Sequence, residues 1–238
     1  FMMAADFQTA LNATDQVFKD SSLIVKDWSA NLSTAYGISS KEALGYANVM
    51  GAILQNIGGM SEEMAGKTAA NLVQLAGDLT ATFGGQTSDA VRALTGALKG
   101  NNTMLDNYGI AANYALVKAK ALAMGLSNGT GELSLQAKQA ATLAIIMEQT
   151  GAAQGQASRE ADGASSSMRA LKIEITNLST ELGVVLLPVI TPIITSIRDM
   201  VASFRELSPE TQKTMVAVAG VTTAFGPLML IVGKVIIS

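Results

Sequence analysis

The chain has 238 residues, of which 49% are hydrophobic and only 15% are charged, whereas about a quarter is typical of globular proteins. It contains no histidine and no cysteine, which excludes disulfides, zinc–thiolate sites, haem ligation by histidine and nucleophiles that need a histidine base. The net charge is −3 and no basic run is densely clustered, so we expect no sequence-specific nucleic-acid partner.

The first residues carry no targeting signal. Residues 1–5 are apolar, but Asp6 interrupts them and no basic segment precedes them. Because the chain starts with Phe1 and stops at Ser238 inside an apolar run, we expect it to be an ordered piece of a longer chain.

Apolar stretches that end at glycines predict an all-α fold. Glycine is preferred just past a helix end because it takes positive φ without a Cβ clash. Ala-rich segments favour helix, and no alternating run indicates a strand. The predicted helices are roughly 4–20, 23–36, 40–57, 62–82, 88–98, 111–124, 134–150, 165–186, 189–206, 210–225 and 228–237.

Capping residues mark several helix starts. Ser39 and Glu42 have the spacing of a capping box, and Ser61 precedes two acidic residues that suit a helix N-terminus. Residues 87–89 (Thr-Ser-Asp) are each candidate caps, and Ser208 precedes a first-turn proline.

Acidic residues give little indication of chemistry. Asp78, Asp89 and Asp106 are candidates to surround a hard cation, although their spacing does not demand it. Asp15 and Lys19 are four residues apart and predict an exposed ion pair. No arrangement of residues supports catalysis, so we expect no enzyme, no cofactor and no metal site.

Residues 152–167 are small and polar and predict a hinge. The hinge divides the chain into a helical core region, 1–151, and a second region, 168–238, with heptad seams and apolar helices.

Two heptad seams follow the hinge, with apolar residues at alternating spacings of three and four, as at positions a and d of a coiled coil. Such narrow seams fit self-association of identical helices about an axis, while a helical hairpin within one chain fits the periodicity equally. The predicted interface residues are Met168, Leu171, Ile175, Leu178, Leu182 and Val185 in the first seam, and Ile190, Ile193, Ile197, Met200, Phe204 and Leu207 in the second.

The run 214–233 contains no charge and lies between Lys213 and Lys234. Its length approaches the roughly 20 apolar residues that span a bilayer, but Gly226-Pro227 breaks it. It is either a membrane-competent segment or a core helix buried by its neighbours.

Seven short segments occur in a fixed order along the chain: LAGDLTATF at 75–83, AVRALTGALKG at 90–100, LDNYGI at 105–110, TGAAQG at 150–155, the run 169–178, ELGVVLLP at 181–188 and GPLML at 226–230. This ordered set resembles the core region of phage tail tape measure proteins, over roughly residues 20–235. At 161–164 the chain has Ala-Asp-Gly-Ala, where that family more often carries a Thr-x-Asp-Ser-like stretch.

The resemblance implies a structural virion protein that sets tail length, nucleates tail tube assembly and aids DNA delivery across the host membrane. It implies a homo-oligomer, which by analogy with three-fold tail tips is a trimer. The implied location is the tube lumen near the tip, and the host envelope after ejection. The implied partners are the tail tube protein, tail tip or baseplate hub proteins and the host membrane. Because 22 glycines would make this segment fold back on itself, we expect the compact, tip-associated part rather than the extended ruler.

Two other interpretations remain. A secreted helical translocator or pore-forming protein would share the apolar segments but would not need the pattern at 75–110. An enzyme would require a catalytic domain, of which the sequence gives no sign.

Overall fold

A computed structural model describes residues 2–32, 34–160, 173–178, 180–181, 183–184, 188, 191–192, 195–196, 198–199, 202–203, 205–211 and 213. All regular structure within these residues is helical, which confirms the all-α fold for this part of the chain. The coiled-coil seams and the oligomeric bundle stay predictions.

The helices up to residue 149 follow the predicted order, whereas the short helix Gln156–Arg159 was not predicted and lies within the predicted hinge. For the helices Ser40–Asn56, Glu62–Phe83, Thr87–Leu98 and Leu135–Gln149, the predicted ends differ from the observed ones by no more than one residue. The helix expected over 23–36 is shorter, since it stops at Ala30 and a 3₁₀ turn follows at Thr34–Tyr36. The α-helices are Met2–Phe18 (α1), Ser22–Ala30 (α2), Ser40–Asn56 (α3), Glu62–Phe83 (α4), Thr87–Leu98 (α5), Tyr114–Ala123 (α6), Leu135–Gln149 (α7) and Gln156–Arg159 (α8).

The predicted ion pair between Asp15 and Lys19 is wrong because α1 ends between these residues. Lys19 has a positive φ of 44°, so the helical four-residue spacing is lost. Its Nζ instead contacts Glu62 at 2.6 Å, while Lys26 Nζ contacts Asp15 at 2.5 Å. The hydrogen bond from Lys26 is the main cause that lowers the pKa of Asp15.

The capping predictions hold at α3 and α4 and fail at α5. Ser39 and Glu42 form the complete capping box, and the Ser61 hydroxyl accepts from the backbone N–H of the third residue of α4. The N-cap of α5 is Gln86, without a side-chain cap. Thr87 does not cap this helix, because its hydroxyl donates instead to the Tyr36 carbonyl at 2.9 Å.

Helix α4 is central to the fold and contacts α1, α2, α3, α5 and α8. Its buried face consists largely of alanine, glycine and leucine, whose small members let neighbouring helices approach closely. The Phe18 ring at the end of α1 is fully buried. It fits there because Gly51 in α3 has no side chain. A Cβ on Gly51 would lie 2.2 Å from Phe18 Cζ.

Helices α6 and α7 form the outer layer. Gln139 of α7 is 3% exposed, and its amide donates to the Leu98 carbonyl at the end of α5 at 3.0 Å. Helix α6 packs on α7 through its buried residues Val117 and Ala121. The rest of α6 is exposed or only partly buried.

The chain divides into two compact units, residues 1–185 and 186–238. The first contains α1 to α8 and the helix that follows the predicted hinge; the described residues of the second are mostly helical and exposed. In the described part of the chain, no helix has the length and apolar character to cross a membrane. The predicted membrane-competent run, 214–233, lies outside the described residues.

Candidate self-association surface

Three of the twelve predicted interface residues fall within the described part of the chain. Ile175 and Leu178 of the first seam are helical, and Leu207 of the second lies in a bend. The other nine lie outside the described residues: Met168, Leu171, Leu182, Val185, Ile190, Ile193, Ile197, Met200 and Phe204.

The first seam lies on a helix whose described residues are 173–178, 180–181 and 183–184, and which we call the seam helix. It packs on the body of the first unit through Ile173 and Thr180, which are 7% and 5% exposed. Asn177 Oδ1 accepts a hydrogen bond from the backbone N–H of Ser40, at the start of α3, at 3.3 Å. The packed face is therefore mainly small and polar.

The predicted seam points the other way. With Ile175 at heptad position a and Leu178 at d, Ile173 and Thr180 both occupy f, the position farthest from the seam. Ile175 and Leu178 are 58% and 56% exposed. Among its described residues, the helix thus buries Ile173 together with polar residues and leaves two large apolar residues of the predicted seam exposed.

Two acidic residues border the exposed seam. Glu174 and Glu181 occupy the g positions next to Ile175 and Leu182, and both are exposed. Acidic residues at g commonly set the choice and orientation of a partner helix. Sequence periodicity predicts these positions but cannot tell which side of the helix the body covers.

The described part of the predicted hinge, 152–160, packs on α4 through a buried carboxylate. Asp78 is 4% exposed, and its two oxygens accept from the backbone N–H groups of Gly155 at 2.8 Å and Ala157 at 3.0 Å. Residues 161–167 lie outside the described residues, so the hinge stays a prediction. Sequence reasoning missed the role of Asp78 because its partners are distant backbone groups.

The suggested cation site at Asp78, Asp89 and Asp106 is not formed. Asp78 is occupied by backbone N–H groups, and Asp89 lies 3.4 Å from Arg92. Among the described residues, no group of three or more potential ligands is arranged to hold a metal ion.

Within the second unit, Leu207 is partly buried in the bend before a short helical stretch at 209–211. The Ser208 hydroxyl accepts from the backbone N–H of Thr211 at 3.4 Å, which confirms Ser208 as a cap.

A second apolar surface was missed by sequence reasoning. The side of α6 opposite Val117 and Ala121 carries no polar residue and is exposed, so that α6 is apolar on two sides. We call it the α6 outward face: Ala115, Leu116, Ala119, Leu122 and Ala123. The sequence shows that this side of α6 has no polar residue, but it does not show that no described element covers it.

Comparison with protein-family models, with curated proteins and with solved structures found no match.

Proposed function

We propose that this chain is a segment of a phage tail tape measure protein. In this function it contributes to setting tail length, nucleates tail tube assembly and aids DNA delivery across the host membrane. The support is the ordered set of tape-measure-like segments, the all-α fold of the described residues and the outward orientation of the first seam.

The orientation of the seam helix carries the proposal. Fully burying a Leu or Ile side chain stabilises by roughly 1.5–3 kcal/mol, and Ile175 and Leu178 remain more than half exposed. A homo-oligomer would bury these two side chains between copies. By analogy with the family, this oligomer is a trimer. A seam turned away from the body of the first unit is suited to assembly around a tail axis.

The lengths of the helices support a compact role near the tail tip. The longest described helix, α4, has 22 residues, which is about 33 Å at 1.5 Å per residue. The helices of the first unit fold back on one another, so this segment is not itself an extended ruler. Its partners are then the tail tube protein and the tip or baseplate hub proteins.

The experiment starts with the mass of the purified chain in solution. We expect an oligomer, and we expect the double variant Ile175→Ser, Leu178→Ser to be a monomer by multi-angle light scattering. A matched control changes two equally exposed apolar residues elsewhere, Leu23→Ser and Met64→Ser, and should keep the parent mass.

The second step places the same changes in the parent virion gene and counts tails by electron microscopy. We expect the seam variant to abolish or strongly reduce tails and the control to assemble normally. Normal tails of unchanged length, formed with a chain that is monomeric in solution, would refute the proposal.

The charge-free run 214–233 favours a second candidate, a secreted helical translocator or pore-forming protein. Dye release from vesicles by the whole chain is expected under both functions, since each acts on a membrane. The two functions separate in the tail count, because a pore-forming protein is not needed for tail assembly.

A further inference from the structure

The α6 outward face is anomalous for a surface helix. Its two large members, Leu116 and Leu122, are 42% and 51% exposed, and Met124 and Leu126 just beyond the helix are 43% and 44% exposed. The outer side of a surface helix normally carries polar and charged residues. Since α7 covers only the side of Val117 and Ala121, we expect the apolar outward face to contact a further partner.

The charge around this face is positive. Between Asp106 and Glu132 the chain has no acidic residue and two lysines, Lys118 and Lys120, at the two edges of the outward face. Lys120 also pairs with Glu148 of α7, so Lys118 supplies the larger uncompensated charge. A complementary partner is therefore an apolar helix face bordered by acidic residues.

The same chain exposes such a face on the seam helix. Ile175 and Leu178 are exposed there, with Glu174 and Glu181 beside them. Helix α6 has 10 residues, about 15 Å, and the seam helix is of similar length. We propose that the α6 outward face of one copy binds the seam helix of a second copy, with Lys118 facing the glutamates.

The charges disfavour pairing of like faces. Two α6 faces would bring lysines together, and two first seams in parallel would set Glu174 and Glu181 against Ser179 and Leu186, which offer no positive charge. Both faces are exposed in one chain at the same time, so the contact joins different copies. A contact between two unlike surfaces closes into a ring when the rotation allows it, which fits three copies about an axis.

This inference rests on the proposed self-association and names the surface that receives the first seam.

The absence of cysteine from the chain makes the contact directly testable. Ala119→Cys places one thiol at the centre of the α6 outward face, and Leu178→Cys places one on the seam. The two variants are mixed, allowed to exchange subunits and treated with a short bifunctional maleimide. The control replaces Ala119→Cys by Leu23→Cys, an exposed position on neither face.

We expect a cross-linked product that contains one copy of each variant, and at least tenfold less in the control mixture. Products between two Leu178→Cys copies as the main species would overturn the α6 contact while leaving the proposed self-association intact. Cross-linking in no mixture, with monomers in solution, would overturn both.

Charge reversal gives an independent readout. Lys118→Glu should weaken self-association about threefold or more, and adding Glu181→Lys should restore most of the loss. Failure of Glu181→Lys to restore association would contradict a contact between these two residues.

Discussion

At the scale of single residues, close packing around glycine determines how the first helices meet. Gly51 and Gly45 both lie inside α3, yet their surroundings differ completely. A Cβ on Gly51 would overlap the buried Phe18 ring, whereas a Cβ on Gly45 would meet nothing within 4 Å.

These two glycines form a matched pair for measurement. We expect Gly51→Ala to lower the free energy of unfolding by about 1–3 kcal/mol because the Phe18 ring must move. Gly45→Ala should raise it by roughly 0.5–1 kcal/mol, since alanine is the better helix former. Urea unfolding followed by circular dichroism checks both values, and an equal effect at the two positions would contradict the packing described.

Asp78 is the second residue at which we expect a single substitution to lower the free energy of unfolding strongly. We expect Asp78→Ala to cost about 2–4 kcal/mol, because it leaves two backbone N–H groups without their acceptor. Asp89→Ala removes an exposed contact to Arg92 and should cost under about 1 kcal/mol.

Hydrogen exchange of the Gly155 and Ala157 amides gives the specific readout for Asp78. Their protection should fall in Asp78→Ala before the rest of the first unit unfolds. Unchanged protection would show that Asp78 does not hold this segment.

At the scale of elements, helix starts were the most predictable feature because their causes are local. The Ser39–Glu42 box and the Ser61 cap each involve residues at most three apart. The contact of Lys19 with Glu62 joins residues 43 apart, so sequence spacing could not reveal it. Likewise, heptad spacing predicts the first seam, but the outward orientation of Ile175 depends on where the body of the protein lies.

The capping box gives a prediction for α3 as an element. Ser39→Ala removes the acceptor for the Glu42 amide and should destabilise by about 0.5–2 kcal/mol. The neighbouring Ser40→Ala keeps the backbone N–H that donates to Asn177 and should change stability by less than about 0.5 kcal/mol. Thermal unfolding of the two variants side by side tests the difference.

At the scale of the whole molecule, the first unit carries its own core. Among the described residues, the large side chains that are fully buried, from Phe18 to Ile146, lie before the predicted hinge. We therefore expect a chain that ends at residue 185 to unfold cooperatively on heating, with a helical circular dichroism spectrum.

A chain that ends at residue 150 is the informative comparison. It lacks Gly155 and Ala157, so Asp78 would be left buried without its donors. We expect a clearly lower melting temperature than for the chain ending at residue 185. Equal melting temperatures would mean that the segment 152–160 adds nothing to the core.

The carboxylate of Asp78 also has a consequence for how such chains can change over time. It fixes the position from which the backbone departs after α7, whatever sequence comes later. Insertions or deletions between Arg159 and Ile173 would leave that departure point untouched, whereas Ile173 and Thr180 are buried again. We expect recombination between related chains to be tolerated best just after Arg159.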